Sequence, residues 1–187
     1  MKEIELTDLL KETGVIMEGH FLLTSGRHSD RFLQCSQLLQ YPHYAGLVCR
    51  LMAEPFQNEG IDTVIGPAMG GVILSFEVAR ALGARSIFAE PVDDKMVLRR
   101  GFRLKPKERV LVVEDTVTTG GSVNKVLELL QSMEVDVVGI AIMIDRTAGR
   151  IDFGFPARSL LSMAVESYDP ADCPLCREGI PLHKPKG

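Results

Sequence analysis

Residues 110–122 read Val110-Leu111-Val112-Val113-Glu114-Asp115-Thr116-Val117-Thr118-Thr119-Gly120-Gly121-Ser122. An apolar run, typical of a buried strand, leads into two acids, then hydroxyl side chains, then two glycines. A helix is predicted to follow over 120–133. The stretch therefore predicts a strand, a polar loop over 114–122 and a helix in immediate succession.

Each residue type in the 114–122 loop suits one part of a ligand. Glycines let backbone N–H groups approach an anion closely, and a helix N-terminus favours phosphate. Threonine hydroxyls at 116, 118 and 119 add donors. The two carboxylates repel phosphate, but they accept hydrogen bonds from sugar hydroxyls and attract Mg²⁺. A ligand with a phosphate and a diol, such as ribose 5-phosphate, satisfies both halves.

A simpler interpretation of the loop is a helix capped by Asp115 and Thr116. A cap needs one such residue, whereas this loop contains six hydroxyl or glycine residues besides its two acids, so we favour ligand binding. The loop lacks the Gly-Lys-Ser/Thr of a Walker motif and the G-x-G-x-x-G of a dinucleotide fold.

The rest of the chain alternates predicted helices with short apolar strands. We expect Thr7 to cap the first helix, Pro42 to open the second with a kink at Pro55, and Gly83 to end the third. Helices are predicted over 5–13, 42–59 and 70–82, short strands around a turn over 20–34, and buried strands over 63–66, 85–89, 109–113, 136–144 and 159–165. This order predicts one α/β domain over 1–187 with a parallel sheet, whose ligands bind at the carboxyl ends of strands.

The segment 90–104 interrupts this alternation. It is polar, then contains Met96-Val97-Leu98, then Arg99-Arg100-Gly101. We interpret it as a protruding hairpin that is too polar for the core. A solvated hairpin without function is the alternative interpretation.

Bulk properties exclude several classes of protein. The net charge of −4 gives no global basic field for nucleic acid. No stretch approaches the roughly 18 apolar residues of a membrane helix, and acidic residues stand where a secretory signal would be apolar. We expect a soluble, cytoplasmic protein that binds neither nucleic acid nor membrane.

The four cysteines, Cys35, Cys49, Cys173 and Cys176, lack the spacing of a disulfide framework. Cys173-Pro174-Leu175-Cys176 has the form of half a zinc site. The second half is missing from the sequence pattern, although His183 follows closely. We therefore favour an ordinary reduced turn and predict no protein-bound metal there.

The stretch Val110–Ser122 resembles the 13-residue signature of the type I phosphoribosyltransferases. The resemblance implies a central, mostly parallel sheet flanked by helices, with a small N-terminal hood and a protruding hairpin. It also implies that Glu114 and Asp115 bind the ribose hydroxyls of 5-phosphoribosyl 1-diphosphate (PRPP). The phosphate would be bound by the following residues, namely Thr116, Val117, Thr118, Thr119, Gly120, Gly121 and Ser122.

Three further segments resemble the orotate phosphoribosyltransferases in particular. They are 21–32 (FLLTSGRHSDRF), Ile142-Met143-Ile144-Asp145-Arg146, and the loop Gly66-Pro67-Ala68-Met69-Gly70-Gly71. The resemblance implies diphosphate binding at Ala68, Met69 and Gly70, and orotate binding at Thr118, Arg146 and Phe32.

Physical chemistry supports the role of Arg146, because a guanidinium fork matches the carboxylate of orotate. Taken alone, Arg146 would be interpreted as a surface ion pair with Asp145 or Asp152. For Phe32, a place in the core is as reasonable as stacking on a pyrimidine.

The chain departs from the orotate pattern at its cations. Thr24 stands where many members carry a lysine, and Met69-Gly70 replaces a lysine of the diphosphate loop. The 90–104 hairpin has no histidine, so its candidate catalytic cations are Lys95, Arg99 and Arg100, with Arg103 nearby.

The resemblance implies Mg²⁺-dependent phosphoribosyl transfer from PRPP to orotate, in pyrimidine biosynthesis, by a homodimer with shared active sites. Mg²⁺ binds chiefly through substrate oxygens, so no protein ligand is assigned to it. A purine or xanthine acceptor is the nearest alternative. A non-catalytic regulator that binds nucleic acid conflicts with the net charge, and a purely structural protein would not need the 114–121 loop.

Overall fold

The computed structural model describes residues 3–23 and 25–185, with the side chains of residues 3 and 4 excepted. Two compact units make up the chain. The smaller comprises Met1–Leu38 and Ala164–Gly187, and the larger comprises Leu39–Met163. A single domain over 1–187 stays a prediction, and Thr24 lies outside the described residues.

The smaller unit starts with helix α1 (Glu3–Glu12) and a two-stranded antiparallel hairpin. Its strands are β1 (Ile16–Leu22) and β2 (His28–Leu33), which confirms the short strands predicted over 20–34. The predicted cap at Thr7 is wrong, because α1 already begins four residues earlier. A short helix, α2 (Ser36–Leu39), follows the hairpin.

The larger unit is built on a six-stranded sheet of order β5-β4-β3-β6-β7-β8. Every neighbouring pair is parallel except β4 with β5, so the predicted mostly parallel sheet is confirmed. The strands are β3 (Thr63–Pro67), β4 (Arg85–Val92), β5 (Lys95–Val97), β6 (Arg109–Val117), β7 (Asp136–Asp145) and β8 (Ala157–Ser162).

Helices α3 (Pro42–Ala53), α4 (Gly70–Leu82) and α5 (Gly121–Gln131) flank this sheet. Gly83 ends α4 with a left-handed φ of 68°, as predicted. α3 is shorter than predicted, because Pro55 falls in a separate 3-10 turn, Glu54–Phe56. The buried side chains of α5 pack on strand residues such as Ile65, Val112 and Ile142.

The hairpin prediction for 90–104 is confirmed in part. β4 and β5 pair through Glu90 and Val97, with the turn at 93–94. The prediction that the segment is too polar for the core is wrong for its apolar residues. Met96 is buried, and Leu98, Phe102 and Leu104 pack against the α5 core.

The C-terminal part of the smaller unit runs beside both hairpin strands. It contains a 3-10 turn, Pro170–Asp172, and helix α6 (Pro174–Arg177). His183 exchanges backbone hydrogen bonds with β1, and Tyr168 does so with His28 of β2. This arrangement places His20 and His28 beside Cys173 and Cys176. The sequence pattern gave no second half for the CxxC, and the fold brings two histidines from about 150 positions earlier next to it.

Among the described residues, no helix is long and apolar enough to cross a membrane.

Candidate active site

Strand β6 is longer than predicted and includes the two acids. It continues through Val117, since Glu114 pairs with Ile142 and Thr116 with Ile144 of β7. The predicted end at Val113 is thus wrong, and Glu114 and Asp115 stand on the strand rather than in a loop. A strand holds their backbone in one conformation, which suits a site that must fix a sugar.

The two acids, Glu114 and Asp115, lie in surroundings that raise the pKa of both carboxyl groups. Burial raises the pKa of Glu114 to about 8, and the charge of the adjacent Asp115 adds to the shift. Burial also raises the pKa of Asp115. Two carboxylates this close favour holding a proton until a hydrogen-bond donor or a cation arrives.

The polar turn after β6 forms a small open cavity. Its volume is about 50 Å³, and its lining consists of Glu114 and residues 116–123. Gly120 is the N-cap of α5 and provides no side-chain hydrogen bond. The capped-helix interpretation with Asp115 and Thr116 is therefore wrong. The first N–H groups of α5 are instead suited to bind an anion.

Gly120 is required both by backbone conformation and by space. Its φ is +75°, a region that residues with a side chain rarely adopt. A Cβ at this position would lie 2.9 Å from Cε1 of Phe153 and 3.2 Å from Cδ1 of Ile151. Side chains of the segment after β7 thus occupy the space that a Cβ at position 120 would need, and the sequence patterns did not indicate this proximity.

The predicted diphosphate loop, 68–70, lies beside the acid pair. The backbone N–H of Ala68 donates to the carbonyl of Ala89 at 2.8 Å, and the Ala68–Met69 peptide bond is cis. A Cβ on Gly70 would collide with the carboxylate of Asp115. The ends of β3 and β6 thus place two predicted binding loops in direct contact.

Arg146 stands where β7 ends, next to the start of the polar turn. Its backbone N–H donates to the carbonyl of Val117 at 2.9 Å. Burial lowers the pKa of its guanidinium, and its Nε is buried without a hydrogen-bond partner among the described residues. A buried N–H of this kind is costly unless a ligand satisfies it.

The ion-pair interpretation of Arg146 is wrong for Asp145. That carboxylate is buried and accepts from the N–H and hydroxyl of Thr147 and from the N–H of Gly149, each within 2.7 Å. In the part of the chain that the structure describes, Arg146 joins no ion pair with Asp152 either. Asp145 shapes the turn after β7, a role the sequence analysis did not assign.

The hairpin cations differ in their surroundings. Arg100 donates to the Glu90 carboxylate at 2.8 Å, and its guanidinium carbon lies 5.7 Å from the centre of the Phe88 ring. Lys95 and Arg99 are exposed and join no ion pair within the described residues. Arg100 is thus partly neutralised, whereas the other two remain available to an anion.

Phe32, the predicted pyrimidine partner, belongs to the smaller unit. Its ring centre lies 5.8 Å from that of Phe21, and its side chain is half-buried. A role toward a base stays a prediction for this residue.

Comparison with known proteins places the chain in a family. The phosphoribosyl transferase domain model matches residues 34–170. The chain is 50% identical over 185 residues to the orotate phosphoribosyltransferase of Desulforamulus reducens, covering 99% of this chain and 97% of that protein. The chain belongs to the orotate phosphoribosyltransferase family. A further member, from Thermotoga maritima, is 52% identical over 180 residues, or 96% of each chain.

Solved structures of orotate phosphoribosyltransferases share the fold. The Aeropyrum pernix structure has a TM-score of 0.71 at 27% identity and covers 84% of this chain and 93% of its own. That of Mycobacterium tuberculosis with inorganic phosphate has a TM-score of 0.69 at 27% identity, covering 86% and 95%. Adenine phosphoribosyltransferase structures, at 22% identity or less, share the fold alone.

Proposed function

We propose that the chain transfers the phosphoribosyl group of PRPP to orotate, giving orotidine 5′-monophosphate and diphosphate for pyrimidine synthesis. The observation that supports this most is the acid pair Glu114–Asp115 directly before the uncapped N-terminus of α5. Full-length relatives that are 50% identical and named orotate phosphoribosyltransferase support the choice of acceptor.

The sugar phosphate is proposed to lie along the end of β6. Glu114 and Asp115 accept hydrogen bonds from the ribose hydroxyls, and the turn 116–122 surrounds the 5′-phosphate. Both ligand parts match the chemistry present, because carboxylates accept hydrogen bonds from a diol and the first N–H groups of a helix can donate to a phosphate.

The orotate carboxylate is proposed to pair with the guanidinium of Arg146. The unsatisfied, buried Nε of that side chain supports this assignment, since a carboxylate satisfies two N–H groups at once. Thr118, in the turn that also binds phosphate, and Phe32 are proposed to contact the base.

Catalysis is proposed to come from positioning and charge neutralisation. The bond from C1 to the diphosphate breaks as an oxocarbenium-like sugar forms, and a nitrogen of the orotate anion attacks C1. Bound Mg²⁺ would neutralise part of the negative charge on PRPP. The donor set fits this cofactor, because carboxylates line the diol position.

The hairpin of β4 and β5 is proposed to close over the leaving diphosphate. The turn 116–122 is used by the 5′-phosphate, so other cations must neutralise the diphosphate, and Lys95 and Arg99 are exposed and free of ion pairs among the described residues. Closure of the hairpin would exclude water during the reaction, and its reopening would release the products.

A homodimer with shared active sites is also proposed. Met69, just before α4, and Ile73 and Phe76 within it form an apolar stripe with exposed fractions of 84%, 45% and 60%. A stripe at this spacing is typical of a surface that packs against another chain.

A cytoplasmic location is also proposed, because the proposed substrates, PRPP and orotate, are intracellular metabolites.

An acceptor assay tests the function directly. The purified chain is incubated with PRPP and Mg²⁺ and, separately, with orotate, uracil, adenine, hypoxanthine or xanthine. Among these acceptors, only orotate is expected to give diphosphate release. Turnover of a purine without turnover of orotate would limit the assignment to phosphoribosyl transfer.

A further inference from the structure

The smaller unit contains four potential metal ligands outside the site described above. They are His20, His28, Cys173 and Cys176, and their ligand atoms all lie within 4.8 Å of one another. The first three residues are buried, and Cys176 is exposed at the rim. The cluster thus combines a shielded interior with a route for an ion to enter.

Three of the four measured separations between ligand atoms fall in the range of tetrahedral coordination, and the separation between the two imidazole nitrogens is shorter. Nε2 of His20 lies 2.9 Å from Nδ1 of His28 and 3.5 Å from Sγ of Cys173. Sγ of Cys176 lies 3.4 Å from Nδ1 of His28 and 3.8 Å from Nε2 of His20. A tetrahedral zinc ion with ordinary bond lengths needs ligand separations of roughly 3.3–3.8 Å.

A second contact orients one of the ligands. Nδ1 of His20 lies 2.8 Å from the carbonyl oxygen of Ile180, which can only accept a hydrogen bond. Nδ1 therefore carries a proton, which leaves Nε2 as the ring nitrogen that can bind an ion in the cluster. Metal-binding histidines typically use their other ring nitrogen in this way.

The backbone around the cluster is tied together on both sides. The N–H of His183 donates to the carbonyl of His20 at 2.7 Å, and His28 exchanges two backbone hydrogen bonds with Tyr168. The ligand pairs from the hairpin and from the CxxC turn are thus held at a fixed separation before any ion binds.

We propose that His20, His28, Cys173 and Cys176 bind one Zn²⁺ ion as a structural site. Two thiolates balance the charge of the ion, so the buried complex carries no net charge. Two sulfur and two imidazole ligands favour zinc over Mg²⁺ or Ca²⁺, which prefer oxygen. Four protein ligands leave no open position for substrate, which is typical of a structural rather than a catalytic zinc.

The ion stabilises a unit that has a small core of its own. A unit of roughly 60 residues buries only about 60% of the surface of its unfolded chain, so metals often supplement its packing. The two ligand pairs are about 150 positions apart in sequence. Zinc therefore joins the N-terminal hairpin to the C-terminal segment, and the inference does not depend on the proposed reaction.

Metal content and spectroscopy of the full chain test the proposal. The protein is purified under reducing conditions, stripped with a chelator, and titrated with Zn²⁺ or Co²⁺. One equivalent of zinc per chain is expected, with a rise in thermal stability. Cobalt should give the visible bands of a tetrahedral ion and a thiolate charge-transfer band.

A pair of variants locates the ion. Cys176→Ser removes an exposed ligand, so the fold should survive while zinc affinity falls by more than the roughly 10- to 100-fold typical of losing an outer partner. His183→Gln is the matched control, because this exposed residue also follows the CxxC but lies outside the cluster. Its zinc affinity should be unchanged.

Three results would overturn the proposal. They are the absence of zinc binding by the reduced, folded chain, the absence of thiolate bands in the cobalt complex, and full zinc affinity in Cys176→Ser. Loss of affinity in His183→Gln with retention in Cys176→Ser would assign the ion to a different set of ligands.

Discussion

The carboxylate of Asp115 lies directly against the Cα of Gly70, so that a Cβ at position 70 would overlap with it. This contact joins the end of β6 to the first residue of α4. The position of the proposed ribose acceptor thus depends on the absence of a side chain in the neighbouring loop.

Gly70→Ala should displace the Asp115 carboxylate and weaken PRPP binding. Asp115→Asn should do the same by removing its charge, since a charged hydrogen bond contributes about 1.5–3 kcal/mol, or about 10- to 150-fold in affinity. Calorimetric titration of both single variants and the double variant measures the coupling. Fully additive losses would mean that Gly70 acts independently of Asp115.

The buried acid pair makes PRPP binding dependent on pH. Below its pKa of about 8, Glu114 holds a proton in the free protein, whereas a ribose diol favours the ionised carboxylate. Binding should therefore release protons at pH 7, and affinity should rise by up to about tenfold per pH unit until pH 8. Titrations in buffers of different ionisation enthalpy count the protons.

Glu114→Gln serves as the control for this effect, because the phosphates of PRPP also titrate. Subtracting its proton release leaves the contribution of Glu114. Equal release from the variant and the natural chain would remove this residue from the pH dependence.

Gly120→Ala should destabilise the fold by about 1–2 kcal/mol, the approximate cost of a left-handed φ for a residue with a Cβ. The contact with Phe153 adds to this cost. Gly121→Ala is the matched control, since a Cβ there meets only Thr119 Oγ1 at 3.6 Å. Urea unfolding compares the two, and equal stabilities would contradict the conformational argument.

Arg146→Ala should impair the use of orotate more than the binding of PRPP, because its proposed partner is the carboxylate of the base. Steady-state kinetics should show a larger change in KM or kcat for orotate. Arg150→Ala is the control, since this exposed arginine is bonded to the Thr147 carbonyl nearby. Equal losses for both substrates would indicate a structural role for Arg146.

Mixed dimers test the proposed shared site. A Lys95→Ala/Arg99→Ala chain combined with an Asp115→Asn chain should recover part of the activity, because one site receives an intact hairpin and an intact β6. Lys105→Ala/Lys107→Ala removes equal charge at the opposite end of the strands and should stay active. Verified mixed dimers without recovery would rule out sharing, and an active Lys95→Ala/Arg99→Ala homodimer would rule out the lid.

Glycines and apolar runs in the sequence correctly predicted the helices and strands whose ends are set by neighbouring residues. The bounds of α4, Gly70–Leu82, follow from the two glycines that open it and from Gly83 after it. The end of β6 was missed, because polar Glu114 and Thr116 stay in the strand only through pairing with the distant β7. Non-local pairing of this kind leaves no trace in the spacing of apolar residues.

The sequence likewise predicted the type of ligand at the candidate site but not the contacts between separate loops. The order of acids, hydroxyls and glycines indicated a sugar phosphate, since each type has a distinct partner. The contact of Gly70 with Asp115 and the turn made by Asp145 depend on how separate strands end side by side. His20 and His28 could not be linked to the CxxC, because only the folded chain brings them together.

The pairing of β1 with His183 also has a consequence for synthesis on the ribosome. Ile180 and His20, which share a hydrogen bond, are 160 residues apart. At about 5–20 residues per second, the ribosome makes the later segment roughly 10–30 s after the hairpin. During that interval one edge of the nascent hairpin lacks its native neighbour, while residues 39–163 can already emerge and fold.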